Sequence, residues 1–271
     1  MRYWKGSISL SPTRDYALLR QVLHSGFITH NQLFEFLSLD YSASSRNAFN
    51  NRVRRLLKHG LLTRREMPII NREVVYSVSH AGVSELLGRG EHYVQPVGKE
   101  RSNPAQSGLR HSVELNEIHL ALKRSGTLVC WMPETEIRSR NDLTASGYWK
   151  YYDAIVTVRL AGQDCRFALE YERTPKAARH YRAIRERIEE EALIAHFLYL
   201  VPNHDLLWFV ADRMAGCKRA IYFGLFRDFL QQTLRLPVKR SGSPASVSLD
   251  SILTLRRVAH RTGVLFPDIA V

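Results

Sequence analysis

Acidic residues are scarce in this chain. Its 271 residues hold 26 Asp+Glu against 39 Lys+Arg, a formal net charge of +13. That imbalance attracts polyanions by phosphate neutralisation and counterion release. Residues 1–90 hold 13 Lys+Arg and 6 Asp+Glu, so both halves share the excess. Long apolar runs are also missing. None approaches the roughly 20 residues a bilayer-spanning helix needs, which argues against a membrane protein. Cysteine is limited to Cys130, Cys165 and Cys217, an odd number without metal-ligand spacing, which excludes a disulfide framework or a zinc site. Each lies among apolar residues and is expected as a buried free thiol. Met1–Ser11 lacks the charged-then-apolar pattern of a secretory signal, so a reducing cytoplasm is expected. Internal repeats and low-complexity tracts are absent.

What is present is concentrated in Ser44–Val78. Phe49, Val53, Leu56 and Leu57 recur at helical spacing and form one apolar stripe. The other face carries Arg46, Asn47, Asn50, Asn51, Arg54, Arg55 and Lys58. His59-Gly60 ends the helix, since Gly tolerates the left-handed conformation there. Two strands, Leu61–Glu66 and Arg72–Val78, are expected beyond it, separated by a turn at Met67–Asn71. Upstream, Ser11-Pro12 is expected to open a first helix with Tyr16, Leu19, Val22 and Leu23 inward. Thr29 and Gln32 have capping-box spacing for a second, with Leu33, Phe34 and Leu37 inward. A further helix from Ser79 to Leu87 completes the pattern of a winged helix-turn-helix.

Asn and Arg are the side chains that pair bidentately with adenine and guanine edges. Asn47, Asn50, Asn51 and Arg54 are therefore expected to read bases in a major groove. Arg46, Arg55, Lys58, Arg64, Arg65 and Arg72 are expected to hold phosphates. The alternative is a winged helix used only for protein contacts.

Gly88–Gly108 reads as a linker, rich in Gly and Pro with little apolar periodicity. The expected layout is residues 1–88 as a DNA-binding domain, 89–108 as linker and 109–271 as an α/β domain around a mixed sheet. Helices are expected over Arg110–Ser125, Lys176–Ala195, Asp205–Ala215 and from near Leu225. Strands are expected over Thr127–Trp131, Tyr151–Leu160, Cys165–Glu172, Phe197–Val201 and Ala220–Gly224. Asp153 lies in the second strand; Glu170 and Glu172, two apart, share one face of the third, opposite Phe167, Leu169 and Tyr171. Three converging carboxylates, with Glu114 or Glu117 lending a fourth, suit one or two Mg²⁺ ions for phosphodiester cleavage. Lys176, Arg179, Arg182 and Arg185 follow and suit a DNA backbone. The alternative is that the acids form salt bridges with that basic helix and hold no metal. The apolar segment Leu225–Leu236 suits a homodimer interface or core packing.

Leu109-Arg110-His111-Ser112-Val113-Glu114-Leu115-Asn116-Glu117, then Asp153-Ala154-Ile155-Val156, then Phe167-Ala168-Leu169-Glu170-Tyr171-Glu172-Arg173, resemble the replication-relaxation family. The resemblance runs roughly from residue 11 to residue 225. It implies a bacterial plasmid or mobile-element protein with an N-terminal winged helix and a domain like the PD-(D/E)xK nuclease core. It also implies a link to DNA relaxation, replication and mobilisation. On that pattern Asp153 and Glu170 match the two metal-binding acids. Glu172 stands at the lysine position and Tyr152 at the proline. The expected function is a double-stranded DNA-binding regulator with a non-catalytic nuclease-like domain. The alternatives are a Mg²⁺-dependent endonuclease, with Asp153, Glu170 and Glu172 catalytic, and a protein-interaction module.

Overall fold

The structure is a computed structural model and describes residues 8–41, 45–67, 73–93, 106–145, 147–243 and 245–254. Its first elements are α1 (Asp15–Ser25), β1 (Ile28–Thr29), α2 (His30–Asp40), α3 (Arg46–Lys58), β2 (Leu62–Met67), β3 (Glu73–Val78) and α4 (His80–Leu87). The strands form an antiparallel sheet in the order β1-β3-β2, with Arg64 opposite Tyr76. The Thr29–Gln32 capping box is reciprocal, Gln32 N–H donating to Thr29 Oγ1 and Thr29 N–H to Gln32 Oε1, both at 3.2 Å. Ser45 caps α3, and Gly60 adopts φ +68° just beyond it. Phe49, Val53 and Leu56 are buried against Leu18, Leu19, Leu33, Phe36 and Ile28.

Two local expectations change. α1 starts at Asp15, because the Asp15 carboxylate reaches back to accept the Ser11 N–H at 2.7 Å across a turn at Pro12–Arg14. Phe36 takes the inward place given to Phe34, and Leu18 lies fully buried on α1 while Tyr16 and Leu23 are only partly so.

The second set comprises α5 (Gln106–Arg124), β4 (Leu128–Pro133), α6 (Glu134–Leu143), β5 (Ala154–Leu160), β6 (Gln163–Tyr171), α7 (Ala178–Glu190), β7 (His196–Val201), α8 (His204–Arg213), β8 (Ile221–Leu225), α9 (Phe226–Gln232), β9 (Pro237–Arg240), β10 (Ser246–Ser248) and α10 (Leu249–Thr254). They build a mixed seven-stranded sheet ordered β10-β9-β8-β7-β6-β5-β4. β4, β5 and β6 run antiparallel, β6, β7 and β8 parallel, and β9 and β10 turn back antiparallel. One face buries Phe167, Leu169 and Tyr171 under α5, α9 and α10. The other buries Tyr152, Ala168 and Tyr199 under α6, α7 and α8. The segments α6, β9, β10 and α10 carry too little periodicity to be read in advance.

α5 serves both halves. Ile118 and Leu122 pack on the large sheet, while Leu120 joins the core of α1–α3 and Leu109 and Val113 pack on Phe27 and Val75. Asn116 Nδ2 donates to the Phe27 carbonyl at 2.9 Å, and Gln32 Nε2 to the Val113 carbonyl at 2.8 Å. Residues expected as the end of a linker, 106–108, are thus the first turn of α5.

The cysteines depart from expectation. Cys130 is exposed on the edge strand β4, which turns Val129 and Cys130 outward, and Cys165 on β6 and Cys217 beyond α8 are half-buried. Within Leu225–Leu236, Phe229, Leu234 and Leu236 are buried in the sheet core, so core packing accounts for that apolar segment.

Candidate functional site

Strand register brings the three acids together. Ala154 pairs with Leu169, so the next rung sets Asp153, just before β5, against Glu170 near the end of β6. Alternation puts Glu172, one residue past β6, on the same side as Glu170. Glu170 and Glu172 are buried, and Asp153 is half-buried.

Each acid has a basic partner. His111 Nε2 of α5 lies 3.2 Å from Asp153 Oδ1, and the Tyr171 N–H donates to Asp153 Oδ2 at 2.7 Å. Lys150 Nζ donates to Glu170, and Lys176 Nζ to Glu172. Burial works against ionisation of Asp153, but His111, the Tyr171 N–H and Lys150 outweigh it and hold its carboxyl below the usual range. Burial also opposes charge on His111, yet Asp153 prevails and raises it. Burial drives Glu170 up to about 7, against the pull of Lys150 and with the push of Asp153. Glu172 rises for the same first reason, with Lys176 opposing. The buried Tyr199 hydroxyl, opposite Glu170 in the β6–β7 register, has no hydrogen-bond partner among the described residues.

Glu114 and Glu117 do not join these acids. Glu114 accepts from Tyr171 Oη at 2.9 Å and from Arg173 Nε at 2.6 Å, and Glu117 accepts from Gln32 Nε2 at 2.6 Å. Sequence reasoning passed over Lys150, three positions before Asp153, whereas the pairing of Lys176 with Glu172 matches the salt-bridge alternative. The Lys150 contact depends on a loop path.

As arranged, one oxygen of each acid is engaged by a basic side chain. Lys150 holds Oε1 of Glu170, Lys176 holds Oε2 of Glu172 and His111 faces Oδ1 of Asp153, and no group of three or more His, Cys, Asp or Glu side chains among the described residues has a metal-holding arrangement.

The polar face of α3 is the second candidate. Arg46, Asn47, Asn51, Arg54, Arg55 and Lys58 are exposed, while Asn50 is half-buried. Asn50 Oδ1 lies 3.0 Å from His30 Nε2, and the other ring nitrogen lies 2.9 Å from Tyr76 Oη. Burial lowers the His30 pKa, with Asn50 opposing and Arg46 assisting, which favours the neutral ring. Arg46 donates to Asn31 at 2.6 Å and lies over the Phe34 ring; Arg54 donates to Asn51 at 3.0 Å. Arg55 and the unforeseen Arg52 reach Asp15 at 2.5 and 2.7 Å, which gives Arg55 a structural role. On β2, Arg64 is exposed 3.6 Å from Glu66, and Arg65 is half-buried. Arg72 lies outside the described residues.

No protein family matches the chain, replication-relaxation proteins included, and no curated protein does. Among solved structures, the restriction endonuclease FokI bound to DNA is similar at 12% identity with a TM-score of 0.23. The match covers 83% of this chain and 45% of that one, so the chain spans less than half the FokI length. No helix among the described residues is long and apolar enough to cross a membrane.

Proposed function

We propose that this chain is a double-stranded DNA-binding protein in which residues 15–87 act as a winged helix-turn-helix. In this reading α3 enters the major groove and the β2–β3 hairpin lies along the flanking phosphates. The sheet half is a nuclease-like scaffold whose acids are held in ion pairs. The observation that carries the reading is the α3 face. It exposes Arg46, Asn47, Asn51, Arg54 and Lys58 side by side over a buried apolar stripe, and it bears no acidic residue. The replication-relaxation motifs suggest a regulator of transcription, replication or mobilisation on a plasmid or mobile element.

A second reading, a metal-dependent endonuclease targeted by the winged helix, is favoured by one feature. Asp153, Glu170 and Lys150 converge beside the unpartnered Tyr199 hydroxyl, so a lysine reaches the acids although Glu172 takes its usual place. Incubation with supercoiled plasmid and Mg²⁺ or Mn²⁺ separates the two. Retarded but intact plasmid, equal for wild type, Asp153→Ala and Glu170→Ala, is expected. Nicking that vanishes in both variants would establish the endonuclease.

A further inference from the structure

α8 carries two large rings on its solvent side. Leu206, Leu207 and Val210 fill the face toward the sheet, yet Trp208 is 52% exposed and Phe209 36%. Each ring holds a cation: Lys239 Nζ lies 4.1 Å from the Trp208 centroid, and Arg213 Cζ lies 5.2 Å from that of Phe209. Phe209 also meets Tyr181 edge-on at 6.1 Å, which ties α8 to α7, where Arg179 and Arg182 are exposed. None of these four cations takes part in an ion pair of the described residues. Across α7, α8 and Lys239, six cations (Arg179, Arg182, Arg185, Arg187, Arg213 and Lys239) stand against five acids (Glu186, Glu189, Glu190, Asp205 and Asp212).

We infer that the α7–α8 face binds single-stranded DNA, with bases stacked on Trp208 and Phe209 and phosphates held by Arg179, Arg182, Arg213 and Lys239. The physical reason lies in the combination. Cations alone serve any polyanion, but exposed rings gain nothing from duplex phosphates. They gain from the π-faces of unstacked bases, which only an unpaired strand offers. Cations seated against the rings put phosphate neutralisation where a stacked nucleotide would lie. The choice of DNA over RNA rests on the proposed function; the strand preference does not.

The test is fluorescence anisotropy of the full chain with labelled oligothymidylate and with a duplex of equal length. A Trp208→Ala/Phe209→Ala double variant, checked for fold by circular dichroism, is expected to bind the single strand at least about tenfold more weakly. Its duplex affinity should be unchanged, and Trp208→Phe should restore much of the loss. Arg213→Gln/Lys239→Gln should flatten the single-strand salt dependence. An unchanged single-strand affinity in the ring variant, equal losses on both DNAs, or tighter binding of oligouridylate than of oligothymidylate would overturn the inference. So would a ring variant that merely loses self-association in gel filtration. Binding of the single strand by wild type without binding of the duplex would sustain this inference and refute the duplex reading.

Discussion

Nε2 of His111 lies 3.2 Å from Oδ1 of Asp153, joining α5 to the start of β5. Through Leu109, Val113, Asn116 and Leu120 the same helix grips the half built of α1–α4, so one element holds both candidate sites. Asp153 raises the His111 pKa above its ordinary 6.5 despite burial. A histidine raised in the folded state stabilises fully below its unfolded pKa and loses that contribution as pH rises through the folded value. His111 is therefore expected to titrate above 6.5 in an NMR pH series, and Asp153→Asn should bring it down. Titration at or below 6.5 in wild type would contradict the pairing.

Lys150 and Glu170 are both largely buried, at 12% and 9% side-chain exposure. Lys150→Met removes the cation and leaves Glu170 beside Asp153 and Glu172, which is expected to cost up to about 3–5 kcal/mol above pH 7, where Glu170 is ionised. Because the Glu170 pKa is raised to about 7, its proton uptake stabilises the fold below the ordinary value of 4.5, and this contribution is lost as pH rises through 7. The Lys150→Met defect should thus shrink near pH 5, and adding Glu170→Gln should recover much of it. Urea melts of the three variants check this; a pH-independent defect would argue against a charge effect.

Asp15 is fully buried between Arg52 and Arg55. Burial opposes its ionisation, but the Ser11 N–H and both arginines outweigh it and lower its pKa. That stability is present above the ordinary carboxylate range and is lost as pH falls through the lowered value. Asp15→Ala is expected to destabilise the protein by about 1.5–3 kcal/mol, as for hydrogen bonds to charged groups, tempered by solvent around Arg55. A denaturation midpoint equal to wild type would refute the clamp.

Much of this architecture was legible because local chemistry and packing agree. The α3 stripe, the Thr29–Gln32 box and the alternation of Phe167, Leu169 and Tyr171 against Glu170 and Glu172 all follow periodicity, which packing leaves intact. What sequence could not supply is pairing between distant residues. Lys150 meets Glu170 across the segment before β5, and Arg55 of α3 turns to Asp15 at the start of α1. Asn50, read as a base contact, shares its oxygen with His30, a partner 20 residues away. The exposure of Cys130 follows from the edge position of β4, which apolar neighbours in sequence disguise.

The wing and the helix should differ in what they lose. Asn51→Ala or Arg54→Ala is expected to cost about 1–3 kcal/mol on a cognate duplex and less on random DNA. Arg64→Ala should weaken every duplex alike and reduce the slope of log affinity against log salt by about 0.9. Equal losses on cognate and random DNA for Asn51→Ala would assign α3 to phosphates rather than bases.

Duplex binding by α3 is tested most directly by titrating labelled duplex at several salt concentrations with wild type and an Arg46→Ala/Arg54→Ala/Lys58→Ala variant. Wild type should bind with affinity falling steeply as salt rises, and the triple variant should lose most of both the affinity and the slope. Identical curves for the two proteins, or no binding by wild type at low salt, would contradict the assignment of α3 as the DNA-reading element.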